Sequence, residues 1–194
     1  MAKANKLNDT RTETKGNHVS GAIFSKCGLY RYALWRRWDE NKPMLVTIGL
    51  NPSTADEKVD DNTMKKLRKL AERNGFGAFI MMNLFAYRAT DPKEMIRVDE
   101  PVGPHNMFYM GSACGHANTI LCAWGRDGVH KGQDEVVMQL LDKVASRTKI
   151  CCLGVNNNGT PKHPLYQPDN TVFQGYGKCE SSLLEQESSS TMSS

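Results

Sequence analysis

The sequence has no long apolar run. None of its hydrophobic stretches approaches the roughly 20 residues that a helix needs to cross a bilayer, and residues 1–18 contain no apolar segment of the kind found in secretory signals. The six cysteines include no Cys-x-x-Cys spacing, and three of them lie in apolar runs, which is typical of reduced intracellular proteins. We therefore expect a cytoplasmic protein that has no membrane partner.

Several signatures of chemistry are also missing. The sequence contains no Gly-x-Gly-x-x-Gly or Gly-Lys-Ser/Thr phosphate loop, no Gly-x-Ser-x-Gly elbow, and no carboxylates paired for acid–base work. Cys114 and His116 offer two zinc ligands without a second pair, which is too few for a zinc site. We therefore expect neither a metal nor another cofactor. The net charge of +4 permits an anionic partner without requiring one.

The 194 residues fit a single domain with a core of its own. Residues 1–18 are mostly polar and are predicted to form a disordered N-terminal arm, and the Ser-rich residues 179–194 are predicted to form a disordered tail. The α/β domain is then expected to span residues 19–178. The sequence does not fix the oligomeric state, although one compact domain is compatible with a monomer.

Four short apolar runs indicate buried strands, at residues 45–49, 78–82, 119–123 and 149–153. Because strands that alternate with helices favour a parallel sheet, we predict a three-layer αβα sandwich with a four-stranded parallel central sheet. An N-terminal hairpin is expected over residues 22–38. Its arginines are expected to be solvated, although together with Trp35 and Trp38 they also fit a stacking surface for nucleic acid: Arg31, Arg36 and Arg37.

Three helical patterns separate these runs. Residues 60–63 are suited to cap a helix whose apolar face carries Met64, Leu67, Leu70 and Ala71. A second helix is predicted to open at Pro104, with its apolar residues at Met107, Phe108 and Met110. A third is predicted over residues 133–147, with one apolar side formed by Val136, Val137, Leu140, Leu141 and Val144.

Polar residues follow each predicted strand. In open α/β sheets, ligands bind beyond the carboxyl ends of the strands. Amides offer both a donor and an acceptor, and aromatic rings stack, so this set is suited to reading a nucleobase. We therefore predict a binding site formed by the residues that follow the strands: Asn51, Pro52, Ser53, Thr54, Asn83, Tyr87, Arg88, Trp124 and His163.

Each feature also has an ordinary structural interpretation. Residues 51–54 fit a polar turn, Asn83 a strand cap, and His163 a surface loop. Arg88 fits a solvated or carboxylate-paired arginine. Three aspartates fit either the ligands of a metal-dependent hydrolase or first-turn acids that favour the helix dipole: Asp56, Asp60 and Asp61.

Five phrases occur in order between residues 30 and 168: LNPSTAD, NLFAYRATDP, PVGPHN, AWG and HPLY. In sequence and spacing they resemble the bacterial and phage family known as domain of unknown function DUF1643. This resemblance implies a bacterial cell or an infected host as the location. It implies no activity by itself.

A more distant resemblance is to the uracil-DNA glycosylase superfamily. GLNPS is similar to the Gly-x-Asn-Pro-Gly motif of its mismatch-specific branch, NLFAYR to an Asn-x-x-x-x-Arg segment, and HPLY to a His-Pro-Ser motif. This resemblance also implies a four-stranded parallel α/β sheet. It implies that Asn51 positions the attacking water and that Asn83 hydrogen-bonds the base. It also implies that His163 stabilises the negative charge of the departing base.

These observations predict a protein that recognises a nucleobase or nucleotide, with hydrolysis of an N-glycosidic bond in DNA or a modified nucleotide as the activity that the resemblance implies. The alternative is a non-catalytic module that binds a nucleotide or nucleic acid, such as a phage regulator or counter-defence factor. Two departures favour this alternative: Ser53 stands where the glycosylase motif has Gly, and Leu165-Tyr166 stands where it has Ser-Pro. The expected partner is a nucleobase, a nucleotide or DNA in either case.

Overall fold

The computed structural model describes residues 8–177. These residues form eight strands, which are β1 (Asn8–Lys15), β2 (His18–Ser25), β3 (Arg31–Arg37), β4 (Met44–Gly49), β5 (Ala78–Asn83), β6 (Thr119–Cys122), β7 (Lys149–Cys152) and β8 (Gln174–Gly175). The helices are α1 (Asn62–Arg73), α2 (Pro92–Ile96), α3 (Asn106–Gly115) and α4 (Gln133–Val144). Short 3₁₀ segments cover Arg126–Gly132 and Pro164–Tyr166.

The strands form one mixed sheet in the order β1-β2-β3-β5-β4-β6-β7-β8. The inner strands β5, β4, β6 and β7 are parallel, whereas the other four pairings are antiparallel. The predicted fold class, a three-layer αβα sandwich with a four-stranded parallel central sheet like that of uracil-DNA glycosylases, is therefore wrong. A hairpin has the same sequence pattern whether it stands apart or joins a sheet, and here β3 pairs with β5.

The predicted disordered N-terminal arm is wrong for the part of it that the structure describes. Residues 8–15 form β1, which pairs with β2 along its whole length, from Asn8 opposite Ser25 to Lys15 opposite His18. Most side chains of β1 are exposed, so backbone hydrogen bonds hold this edge strand rather than a buried apolar face. Its polar composition therefore resembled that of a disordered segment. The predicted tail at residues 179–194 lies outside the described residues.

Helix α1 matches its prediction closely. Asp61 is the N-cap, and its side chain accepts a hydrogen bond from the backbone N–H of Met64 at 2.9 Å. The predicted apolar face is confirmed, since the buried residues of α1 are Met64, Leu67, Leu70 and Ala71. The predicted faces of the other two helices are partly wrong. Phe108 on α3 and Val136 on α4 are exposed, at 73% and 45%.

Apolar side chains cover the two faces of the sheet in two clusters. Leu67 of α1 packs in one cluster with Phe79 of β5. Met110 of α3 and Leu141 of α4 pack in the other cluster with Ile48 of β4. Within residues 8–177, none of the helices combines the length and the apolar character required to span a membrane.

The expectation of solvated arginines on β3 is wrong for two of the three residues. Arg31 and Arg36 are buried, at 3% and 8% exposure, because β3 lies between β2 and β5 rather than at the edge of a free hairpin. Arg36 forms an ion pair with Asp60, with its Nη2 2.7 Å from the Asp60 Oδ1. Arg31 reaches the backbone of the segment that follows β4, where its Nη1 donates to the Ala55 carbonyl.

Candidate functional site

A cavity of about 810 Å³ lies at the carboxyl edge of the parallel strands. Its walls come from the segments that follow β4, β5, β6 and β7, from the first turn of α1 and from the start of β3. Open α/β sheets bind ligands at this edge, because the strand-to-helix loops converge there. The volume lies within the range of roughly 300–1,000 Å³ that is common for small-molecule sites.

Asn51 is fixed in the wall by its own side-chain amide. Its Nδ2 donates to the Ala89 carbonyl at 2.8 Å and to the Pro52 carbonyl at 3.2 Å. The Ala89 N–H in turn donates to the Pro52 carbonyl at 2.9 Å, so the segments after β4 and β5 are tied together here. No hydrogen bond from residues 8–177 reaches the Asn51 Oδ1. That oxygen is therefore available to accept from a ligand.

Asn156 repeats this arrangement after β7. Its Nδ2 lies 3.1 Å from the Thr160 Oγ1 and 3.3 Å from the Pro161 carbonyl, and its backbone N–H donates to the Thr160 carbonyl at 2.8 Å. These bonds close the tight loop between Val155 and Pro161, which form an isolated bridge. In the described part of the chain, the Asn156 Oδ1 accepts nothing. The cavity wall thus carries two immobilised amides with unused acceptor oxygens.

His163 caps the 3₁₀ segment Pro164–Tyr166 with its ring. The Leu165 backbone N–H donates to the His163 Nδ1 at 3.3 Å. Burial lowers the pKa of His163, and the nearby Asp61 carboxylate offsets part of that effect. The ring is therefore neutral near pH 7, and because its Nδ1 is an acceptor, the proton is on Nε2.

Arg31 is a site residue that was not among the nine predicted ones, although the sequence pattern also fitted a nucleic-acid stacking surface that included it. It lines the cavity, is 3% exposed, and its Nε has no hydrogen-bond partner. None of the carboxylates among residues 8–177 lies within ion-pair distance of its guanidinium. Burial lowers the pKa of Arg31 to about 10, with the more distant Asp61 opposing the shift, so the side chain stays charged at neutral pH.

Further charges surround the cavity. Arg126 and Lys162 line it and form no ion pair with the described residues. The carboxylates at the cavity are those of Asp61, which caps α1, and Asp127, which is exposed. The cationic groups therefore outnumber the carboxylates in a wall that also contains apolar side chains, such as Leu50 and Met81.

Five of the nine predicted site residues line the cavity, namely Asn51, Ser53, Thr54, Trp124 and His163. Trp124 is nevertheless only 1% exposed. Its ring packs against Gly128, where an added Cβ would lie 2.0 Å from the Trp124 Cδ1. Tyr166, which is 79% exposed and also lines the cavity, is the aromatic ring that is open to stacking.

Asn83 does not reach the cavity. It is 1% exposed and its Oδ1 has no partner among the described residues, while its carbonyl accepts from the Asn106 Nδ2 at 2.9 Å. An added Cβ at Gly49 would lie 3.0 Å from the Asn83 Oδ1. The structure therefore does not bring Asn83 together with Asn51 and His163, as the glycosylase resemblance implied.

The other three predicted site residues also lie away from the cavity wall. The Arg88 Nη1 donates to the Gly28 carbonyl at 3.1 Å, and the Arg88 guanidinium lies over the Phe24 ring. Tyr87 contacts the Tyr30 ring edge-on. Pro52 is buried, and it contributes the carbonyl that accepts from Ala89.

The three aspartates considered as metal ligands have separate roles. The Asp56 carboxylate accepts from the N–H groups of Lys58 and Val59 at 2.8 Å. Asp60 pairs with Arg36, and Asp61 caps α1. In the part of the chain that the structure describes, His, Cys, Asp and Glu nowhere gather in a group of three that could hold a metal.

The fold and the cavity define an α/β protein with a mixed sheet and a site at the carboxyl edge of its parallel strands in which cationic side chains outnumber carboxylates. The chain belongs to the family described as protein of unknown function (DUF1643), whose model matches residues 31–165. No curated protein and no solved structure matches the chain. The matched region includes Arg31, Asn51, Asn156 and His163, and so it contains the main walls of the cavity.

Proposed function

We propose that the cavity recognises a nucleobase or nucleotide. The observation that carries this proposal is that two fixed amides, Asn51 and Asn156, line the cavity, each with an unused Oδ1. Base edges present N–H donors, and an acceptor that is already held in place loses little conformational entropy when it binds one. The exposed ring of Tyr166 supplies a stacking face at the same cavity.

Binding of free nucleosides tests base recognition without a phosphate. Isothermal titration of adenosine, cytidine, guanosine and uridine should show binding of at least one of them, and Tyr166→Ala should weaken that binding by about 1–3 kcal/mol. Phe108→Ala is a matched control, because Phe108 is similarly exposed on α3 and does not line the cavity. Equal effects of the two substitutions would contradict the proposal.

Asn156→Ala removes one of the acceptors. It should weaken nucleoside binding, whereas Asn157→Ala, at an exposed neighbour outside the cavity, should not. Thermal unfolding of both variants checks that the loop remains folded, since the Asn156 Nδ2 also donates to the Thr160 carbonyl at 3.2 Å. Nucleoside affinity that is unchanged in a folded Asn156→Ala protein would contradict a role of its Oδ1.

Hydrolysis of an N-glycosidic bond is a second candidate function, favoured by the tautomer of His163. In the neutral ring the proton is on Nε2, so this group can donate to an oxygen of a departing base. The C1′–N bond would break with its electron pair left on the base, water would add at C1′, and the base would gain the proton that the water loses. Asn51 lines the same cavity and could hold that water.

Abasic-site and free-base assays test the second candidate. DNA containing uracil, hydroxymethyluracil or other modified bases, and free nucleotides, should release the base with the wild-type protein. His163→Phe should abolish release while it leaves nucleotide affinity within a few-fold of wild type, since the phenyl ring fills a similar space without the Nε2–H. Binding without base release would identify a non-catalytic binding module.

A further inference from the structure

We infer that Arg31 and the first turn of α1 form a phosphate subsite within this cavity. The inference deepens the proposed function and rests on it for the identity of the rest of the ligand. It names the chemical group that this part of the cavity takes, which is the tetrahedral phosphate of a nucleotide or of a nucleic-acid backbone.

The first argument is the missing partner of Arg31. A buried guanidinium normally pairs with a carboxylate, because an uncompensated charge inside a protein is costly. Arg36, five residues further along β3, follows this rule through Asp60. Arg31 is more deeply buried than Arg36, its buried Nε has no hydrogen-bond partner among the described residues, and it lines the cavity without an ion-pair partner. An anionic group from a ligand would complete its coordination.

The second argument is the helix end beside Arg31. Helix α1 has 12 residues, and its first-turn residues Asn62 and Thr63 line the cavity. Among the described residues, the backbone N–H groups of these two residues have no acceptor, whereas the N–H of Met64 is used by Asp61. Free N–H groups and the positive end of the helix dipole favour an anion at this position.

The geometry of an arginine fork selects among anions. A guanidinium donates from parallel N–H groups, which match two oxygens of a phosphate or carboxylate. Arg126 and Lys162 line the same cavity and can neutralise the remaining charge of a phosphate. Two carboxylates, Asp61 and Asp127, also line the cavity and would repel an anion. Asp61 already accepts the Met64 N–H, and Asp127 is exposed to solvent.

Comparison of nucleosides with their 5′-monophosphates tests the subsite directly. In a buffer without phosphate and at constant ionic strength, the monophosphate should bind the wild-type protein about 10- to 100-fold more tightly than the nucleoside. Arg31→Met should remove this gain while it leaves the affinity for the nucleoside unchanged. Equal affinities in the wild type, or a gain that persists in Arg31→Met, would overturn the inference.

Two further variants complete the test. Asn62→Pro removes one first-turn N–H and is compatible with the helix, because proline is favoured at the first helical position and Asp61 already has the extended backbone that precedes proline. Asn62→Pro should reduce several-fold the extra affinity for the monophosphate over the nucleoside. It therefore keeps the inference testable if Arg31→Met does not fold. Arg97→Gln is the control, since Arg97 is exposed and lies outside the cavity.

Short single-stranded oligonucleotides without terminal phosphates separate the two sources of the phosphate. Tighter, Arg31-dependent binding of these oligonucleotides than of monophosphates assigns the subsite to a nucleic-acid backbone. The reverse order assigns it to a free nucleotide. Either result supports a phosphate subsite. If Arg31→Met and Asn62→Pro change the affinity for neither ligand, the inference is contradicted.

Inorganic phosphate distinguishes failure of the subsite from failure of the proposed function. If phosphate raises the Tm of wild type but not of Arg31→Met, while nucleosides do not bind, the subsite stands and base recognition is wrong. If nucleosides bind through Tyr166 and Asn156 but monophosphates bind no better, base recognition stands and the subsite is wrong.

Discussion

Arg31 and Arg36 lie on the same strand and are both buried, but only Arg36 has a carboxylate partner, with its Nη2 2.7 Å from the Asp60 Oδ1. Arg31 instead turns to the cavity, with its Nη1 on the Ala55 carbonyl and its Nε unpartnered. This difference separates an arginine that stabilises the fold from one that is available to a ligand. It leads to opposite expectations for substitutions at the two positions.

Loss of the Arg36 partner should destabilise the protein. Asp60→Ala leaves a buried guanidinium without its carboxylate, and we expect the free energy of unfolding to fall by about 2–4 kcal/mol. Urea denaturation measures the change. Asp39→Ala is a control that removes an exposed pair with Lys42, which should cost less than about 1 kcal/mol. Similar losses of stability in the two variants would show that the buried Arg36–Asp60 pair contributes no more to stability than the exposed Lys42–Asp39 pair.

Replacement of Arg31 should leave the ligand-free protein as stable as wild type or make it more stable. Arg31→Met exchanges an unpaired buried charge for an apolar side chain of similar length, so we expect the free energy of unfolding to stay within about 1 kcal/mol of wild type or to rise. Arg36→Met, at the paired position, should lower it by about 2–4 kcal/mol. A large loss of stability in Arg31→Met would mean that Arg31 mainly supports the fold.

His163 should make stability depend on pH. Burial lowers its folded-state pKa below the unfolded value of 6.5, so at pH values between the two the unfolded chain binds more protons. The stabilising contribution is complete above pH 6.5 and is lost as the pH falls through the folded pKa. Thermal unfolding between about pH 5 and pH 8 should therefore show a loss at the acid end that is smaller in His163→Phe. An identical pH profile in the two proteins would contradict this assignment.

Gly128 and Gly111 should respond in opposite ways to alanine. An added Cβ at Gly128 would lie 2.0 Å from the rigid Trp124 ring, so Gly128→Ala should destabilise the protein, by about 1–3 kcal/mol. The corresponding Cβ at Gly111 in α3 would lie 3.6 Å from the Leu140 Cδ1. There, Gly111→Ala should stabilise the helix by about 0.5–1 kcal/mol. Differential scanning calorimetry of both variants decides the signs, and a stabilised Gly128→Ala would show that Trp124 can move.

Local sequence patterns were sufficient for much of the fold. The four inner strands and the cap and buried face of α1 followed from apolar runs and from Asp61, because these features depend on residues close together in the chain. The rule that ligands bind after parallel strands also directed attention to Asn51 and His163, which do line the cavity. The same rule selected Asn83, which is buried next to Gly49 and does not line the cavity.

Arg31 could not be found in this way, because it begins a strand rather than follows one. Strand β3 runs antiparallel to β5, with Leu34 opposite Met81. The first residue of β3 therefore lies at the same edge as the last residue of β5, and the Arg31 N–H donates to the Ala86 carbonyl at 2.9 Å. Only the strand order of the sheet shows this, since the pattern of residues 22–38 is the same for a separate hairpin.

The sequence by itself thus determined which segments become the inner strands and the helices α1, α3 and α4, and which polar residues follow the strands, since both depend on local spacing and capping. The tertiary structure alone decided that the hairpin completes a mixed sheet and that Arg31 enters the cavity without a carboxylate. It also decided that Asn83 is buried and Tyr166 exposed. Those outcomes depend on which distant strands pair and on which charges remain uncompensated, and no short stretch of sequence carries that information.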